Sequence, residues 1–265
     1  MEINVLKHIT EEMANEKPVA LVTVIEATGS TPGKTGAMMA VLEDGATIGT
    51  VGGGKLEGEI TKEALDCLAK GQDRLLTYHL QDDEEGIGMQ CGGDAQAFVK
   101  VFKPRQQLIL AGGGHIAQSL YHLGIMLGFR VTIVEDREEY CNRQRFPEAD
   151  ELLVGDMGKL MEERPLGSGT YVVIVSRGHK MDELALRAVL GRDAAYVGMI
   201  GSRNKVANTI KSLRDSGVEE EHINKVFMPI GLDLGGQKPE EIAVSIMAQI
   251  LAVKYGKEPK HLKVL

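Results

Sequence analysis

The segment QLILAGGGHIAQSL, residues 107–120, constrains the fold more than any other part of the chain. An apolar, strand-like run enters three glycines and a helix-like run leaves them. Gly112, Gly114 and Ala117 fit the spacing G-x-G-x-x-A. In that turn the backbone bends tightly and approaches a phosphate, while the helix N-terminus supplies N–H donors and a positive dipole end. Glu135 lies 21 residues past Gly114, after the next strand-like run. A dinucleotide-binding unit places its ribose carboxylate there. A Rossmann-like, doubly wound parallel sheet is expected. Whether it takes a dinucleotide such as NAD(P) is a separate question, because the fold outlives the ligand in many proteins.

The rest of the chain divides around this unit. Lys103-Pro104-Arg105 is a charged, proline-bearing break, predicting an N-terminal α/β domain over 1–103 and a Rossmann-like domain over 104–265. Before the break, apolar spacing predicts a helix over 1–15, a strand over 19–26, two strands joined by a turn at Asp44-Gly45, a helix over 56–70, and strands over 74–79 and 95–102. After it, strands over 130–134, 151–154, 171–175 and 195–199 alternate with helices over 115–127, 182–190 and 203–216. A last helix covers 240–255, with Pro239 at its start.

Composition removes several classes of function. There are 30 Lys+Arg against 38 Asp+Glu, a net charge of −8, which is a poor footprint for nucleic acid or an anionic membrane. Three widely spaced cysteines make no disulfide framework and fit a reducing cytoplasm. The N-terminus is charged and lacks an apolar signal-peptide core. The uncharged stretch 106–129 carries Gly112, Gly113, Gly114, His115, Gln118 and His122, so it is rejected as a membrane span.

Other glycine-rich segments suggest anion sites. In TVGGGKLEGE, Gly52, Gly53 and Gly54 offer an N–H nest ahead of Lys55 and Glu57, although Lys55 lacks the following Ser/Thr of a P-loop. The alternative is a tight strand-to-helix turn with Glu57 favoured in the first helical turn. In MQCGGD, Cys91 beside Gly92 and Gly93 is the candidate thiol for sulfur chemistry; the acidic run at 82–85 would raise its pKa. In VSRGHKMDEL, His179 and Asp182 stand three apart, as an acid–base pair, as two metal ligands, or as an exposed histidine and a helix cap. No resident metal site is assigned. In GMIGSRNK, Ser202 and Arg203 open a helix, either as an anion site or as ordinary capping. PIGLDLGGQKPEE is expected to pass close to other backbone or to a ligand.

Together these segments resemble one family. GSTPGKTGAMMAV, GTVGGGKLEGE and CGG are similar to the N-terminal domain of XdhC/CoxI proteins. GGGH, GFRVTIVEDREEY, SRGHKMDELAL, YVGMIGSRNK and PIGLDLGGQKPEEIAVSI are similar to their C-terminal Rossmann domain. The resemblance covers nearly the whole chain. It implies a xanthine dehydrogenase accessory factor. Such a protein transiently binds molybdenum cofactor (molybdopterin), promotes its sulfuration with a cysteine desulfurase, and delivers it to a molybdenum hydroxylase. The implied cofactor contacts are Gly52–Gly54, Lys55, Glu57, Cys91–Gly93, Gly112–His115, Glu135, Ser202 and Arg203. A cytoplasmic homodimer is expected, the dimer from base rates alone. Two rival readings are an NAD(P)-dependent oxidoreductase with His179 as its acid–base group, and a nucleotide-sensing module without chemistry. The chain departs from the family pattern at Gly33, where Arg usually follows the Pro, and at Gly113, where Ala is usual.

Overall fold

A computed structural model describes residues 2–15, 17–29, 31–79 and 93–263. The chain divides into two compact units, Met1–Pro104 and Arg105–Leu265.

The first unit is an antiparallel sheet with a helix on each face. Its strands are β1 (Val19–Gly29), β2 (Met38–Leu42), β3 (Thr47–Gly49), β4 (Arg74–His79) and β5 (Gly93–Phe102), in the order β3-β2-β1-β5-β4. The helices are α1 (Glu2–Ala14) and α2 (Gly54–Lys70). Alternation along β1 explains the layering. Ala20, Val22 and Val24 pack with Leu56, Ile60, Ala64 and Cys67 of α2. Val19 instead joins Val5 and Ile9 of α1. The β2–β3 turn forms at Asp44-Gly45, with Gly45 at φ 83° and the Ala46 N–H donating to Asp44 Oδ1 at 2.9 Å.

The second unit is a parallel, doubly wound sheet, as the glycine turn predicts. Its strands are β6 (Gln107–Ala111), β7 (Arg130–Glu135), β8 (Glu151–Val154), β9 (Thr170–Ile174) and β10 (Tyr196–Met199), in the order β10-β9-β6-β7-β8. Helices α3 (His115–Met126) and α8 (Pro239–Lys254) cover one face through Ala117, Leu120, Tyr121, Ala243, Ile246 and Ile250. Helices α4 (Met157–Glu163), α5 (His179–Val189), α6 (Arg203–Asp215) and α7 (Glu220–Asn224) line the other through Met157, Met161, Ala185, Leu186, Leu213 and Ile223. Periodicity does not reveal α4 and α7, because helices of seven and five residues contain too few turns to show a stripe. Strand order reverses between β6 and β9, and open α/β sheets bind ligands outside the strand ends at such a point. Among the described residues no helix is long and apolar enough to cross a membrane.

Candidate functional site

The three glycines after β6 have three different roles. Gly112, at φ 125°, lies against the end of β9: a Cβ there would meet Val175 O at 2.6 Å and Ser176 N at 2.8 Å. Gly113 lies under a 3-10 turn at Glu138–Tyr140, where a Cβ would meet Tyr140 O at 2.1 Å. Its N–H donates to Glu135 Oε2 at 2.8 Å, and its carbonyl accepts from Arg145 Nη2 at 3.0 Å. Gly114 has neither reason to be glycine. Its φ of −73° and ψ of −170° suit any residue, and among the described residues a Cβ would meet nothing within 4 Å. It is the N-cap of α3 and supplies no side-chain cap. The start of α3 is therefore open to an outside acceptor at Gly114, with His115 exposed beside it.

Glu135 is not placed to receive a ribose. It is 2% exposed, and besides Gly113 it accepts from Arg137 Nε at 3.2 Å. Burial, reinforced by Asp136, pushes its carboxyl above the usual carboxylate range. Its hydrogen bond holds Asp136 below that range. The expected ribose ligand is a structural carboxylate, because the loop after β7 folds back over the glycine turn.

At the end of β9, Ser176 is tied down by Asp182. The Ser176 N–H donates to Asp182 Oδ1 at 3.0 Å and the Ser176 hydroxyl at 2.5 Å. Asp182 is fully buried, and its Oδ2 accepts from Lys205 Nζ of α6. One carboxylate thus fastens β9, α5 and α6 together. Asp182 is not the cap of α5, since the N-cap is Gly178 without a side-chain bond. Nor does its carboxylate form an acid–base pair with His179, which is exposed. Among the described residues no three His, Cys, Asp or Glu side chains gather to hold a metal. Ser202 caps α6, accepting from Lys205 N at 3.3 Å, and Arg203 is exposed. The 231–236 segment passes close to α8: a Cβ at Gly231 would meet Ser245 Oγ at 2.6 Å.

In the first unit two loops meet backbone to backbone. A Cβ at Gly33 would lie 2.1 Å from Val51 O, and one at Gly52 would lie 2.3 Å from Gly33 N. The nest expected at Gly52–Gly54 already holds a carboxylate of the chain itself. Glu57 Oε2 accepts from Val51 N at 3.1 Å, Gly53 N at 3.1 Å and the Thr50 hydroxyl at 2.5 Å, while the Gly52 N–H goes to Thr50 Oγ1 at 3.1 Å. An anion could not take those donors without displacing Glu57. Gly54 and Lys55, at the start of α2, are exposed. A shallow cavity of about 440 Å³ lies beside the loops, lined by Pro32, Lys34, Thr35, Thr50 and Gly52 among others.

Cys91 and Gly92 lie outside the described residues; Gly93 begins β5 opposite Gly29. The other two thiols are buried. Burial raises the pKa of Cys67, and takes that of Cys141 up to about 11. Neither has the thiolate character that sulfur chemistry requires. Sequence reasoning did not foresee the Ser176–Asp182–Lys205 link or the Thr50–Glu57 bond. The one available signal was that Ser176 ends a buried strand at the sheet edge that binds ligands.

Comparison with known proteins agrees with this architecture. Residues 13–79 match the XdhC and CoxI family, and residues 108–250 match the XdhC Rossmann domain. "Uncharacterized protein YqeB" of Escherichia coli (strain K12) is 32% identical over 239 residues, 89% of this chain and 44% of that protein. A protein of Bacillus subtilis (strain 168), named as a probable subunit of xanthine dehydrogenase, is 29% identical over 69% of this chain and 51% of its own length. The chain thus spans about half the length of these two relatives. "Molybdenum cofactor insertion chaperone PaoD" of E. coli is 24% identical over 96% of this chain and 89% of its own. A crystal structure described as that of a xanthine dehydrogenase from Bacillus halodurans shares the fold, with a TM-score of 0.53 at 21% identity, covering 95% of this chain and 96% of that one.

Proposed function

Because the chain belongs to the XdhC and CoxI family, we propose that it is an accessory factor for a molybdenum hydroxylase of the xanthine dehydrogenase type, carrying molybdenum cofactor as cargo rather than turning over a substrate of its own. The observation that carries this reading is Gly114, a glycine required neither by its dihedrals nor by packing, at the uncapped start of α3. Backbone left bare in this way suits an anionic group from outside. PaoD, named as a cofactor insertion chaperone and matched over most of its length, supports the choice of cargo.

In this reading the terminal phosphate of the pterin meets N–H groups at the start of α3, beside Gly114 and His115. Ser202 and Arg203 border the same sheet edge from the start of α6. Backbone donors serve a phosphate without bulk positive charge, so a net charge of −8 is no obstacle. Gly112 and Gly113 shape the turn, and Ser176, fixed by Asp182, supports it from β9. In the first unit, Gly54 and Lys55 remain candidate contacts, while Glu57 holds the loop shape and meets no anion.

The finer role follows from the family resemblance. The factor holds the cofactor transiently, promotes its sulfuration together with a cysteine desulfurase, and passes the cofactor to its client. Cys67 and Cys141 are buried with raised pKa, which leaves Cys91 as the thiol for sulfur handling. A homodimer in the cytoplasm is part of the same proposal. The test is to co-express the protein with an active cofactor pathway, purify it, and measure molybdenum and oxidised pterin. The proposal expects both in proportion to protein; their absence overturns it. For Cys91, a Cys91→Ala variant that binds cofactor and still fully activates its client removes the sulfur-handling role.

A further inference from the structure

A Rossmann unit carries the general expectation of a dinucleotide, and three observations around Gly113 contradict it here. First, the carboxylate that would receive the ribose hydroxyls, Glu135, is 2% exposed and has accepted donors on both oxygens: Gly113 N on Oε2 and Arg137 Nε on Oε1. Second, the space over the middle of the turn is filled by the chain. The Tyr140 carbonyl lies so near the Gly113 Cα that even a methyl group would be 2.1 Å from its oxygen. A ribose bridging the turn and the acidic residue at the end of β7 would need that space. Third, the covering segment is anchored. The Arg137 guanidinium carbon lies 3.9 Å from the Tyr140 ring centroid, and that of Arg145 lies 5.4 Å from it. Arg145 also donates to the Gly113 carbonyl at 3.0 Å.

We infer that this Rossmann unit has lost the adenosine half of the dinucleotide site, and that Glu135 and Tyr140 occupy it as permanent parts of the fold. Gly112 of the G-x-G-x-x-A pattern is required by its close approach to Ser176, a contact that involves no adenosine. A ligand at Gly114 would use the start of α3, and Glu135, buried and already bonded to Gly113 N, takes no part in holding it. This inference rests on the geometry of β7 and its loop and stands whether or not the chain carries a pterin.

The experiment titrates the full-length protein with NAD⁺, NADH, NADP⁺ and ADP-ribose by calorimetry, with NADH fluorescence as a second readout. The expected result is no saturable binding up to about 1 mM and no rise in Tm at that concentration. Saturable binding of any of the four in that range overturns the inference. A second measurement addresses Glu135 itself. A buried, partnered carboxylate is structural, so Glu135→Ala lowers the ligand-free Tm by about 3 °C or more. An open ribose ligand would leave Tm unchanged, and that result contradicts the assignment. Should the variant fail to fold, the titration of the unmodified protein still decides.

Discussion

The Cα of Gly33 abuts the carbonyl oxygen of Val51, leaving 2.1 Å for any side-chain carbon at position 33. The contact is between two backbones, so no side chain can rotate away to relieve it. Gly33→Ala must push the 31–36 loop off the TVGGG turn. Overpacking of this kind costs about 1–3 kcal/mol. Gly33→Arg should cost at least as much. Urea unfolding should show a lower midpoint with an unchanged slope. An unchanged midpoint would mean that the loops are not in contact.

Asp182 and Lys205 form a pair of which the carboxylate is fully buried and the lysine side chain 12% exposed. Removing one member strands the other. Asp182→Ala should therefore destabilise by about 3–5 kcal/mol. The double variant Asp182→Asn, Lys205→Met should lose clearly less than the sum of the single changes, because no lone charge remains. A double-mutant cycle with zero coupling energy would refute the link between β9, α5 and α6.

Cys67 and Cys141 are buried, and their thiols are raised by burial, Cys141 up to about 11. At pH 8 both should resist iodoacetamide in the folded protein and react fully after unfolding in urea. Peptide mass spectrometry of the two cysteines reads this directly. Rapid native labelling of either one would weaken the assignment of sulfur handling to Cys91.

The Glu57 carboxylate should behave as a clamp. Glu57→Gln keeps one oxygen acceptor of nearly the same shape, and should cost about 1 kcal/mol or less. Glu57→Ala leaves the Val51 and Gly53 N–H groups without their acceptor and should cost about 1–3 kcal/mol. If Glu57→Ala instead left thermal stability unchanged, the carboxylate would not be holding the turn.

The sheet of the second unit was legible because its signals are local. An apolar run of about five residues, a glycine turn and a 3.6-residue stripe recur in series, and each can be read without knowledge of the others. The function of each glycine was not legible. Gly112, Gly113 and Gly114 are identical in sequence. One is fixed by Ser176, one by Tyr140, and one by nothing among the described residues. Those neighbours lie 27 to 64 residues away, and only folding brings them together. The same holds for the carboxylates. Glu57 reads as a candidate ligand from its place after Gly52–Gly54, Glu135 from its spacing past the glycine turn after β6, and Asp182 from its spacing to His179. In the fold each instead accepts from a backbone N–H at a strand end or turn: Gly53, Gly113 and Ser176. A glycine-rich turn creates unsatisfied donors, and a carboxylate placed nearby in the fold satisfies them before any ligand arrives.

If an anionic cargo docks at the start of α3, Gly114→Asp should block it. Aspartate is a favoured N-cap, its charge suits the helix N-terminus, and its Cβ meets no neighbour within 4 Å among the described residues, so the fold should be as stable as before or slightly more so. The same carboxylate would take the open N–H groups and repel a phosphate. Molybdenum and oxidised pterin per mole of protein should be measured for both forms after co-expression with the cofactor pathway. The unmodified protein should carry cofactor, and Gly114→Asp should carry at least tenfold less, a difference of about 1.4 kcal/mol in binding, with an unchanged or higher Tm. Equal cofactor content on the two forms would contradict docking at that site.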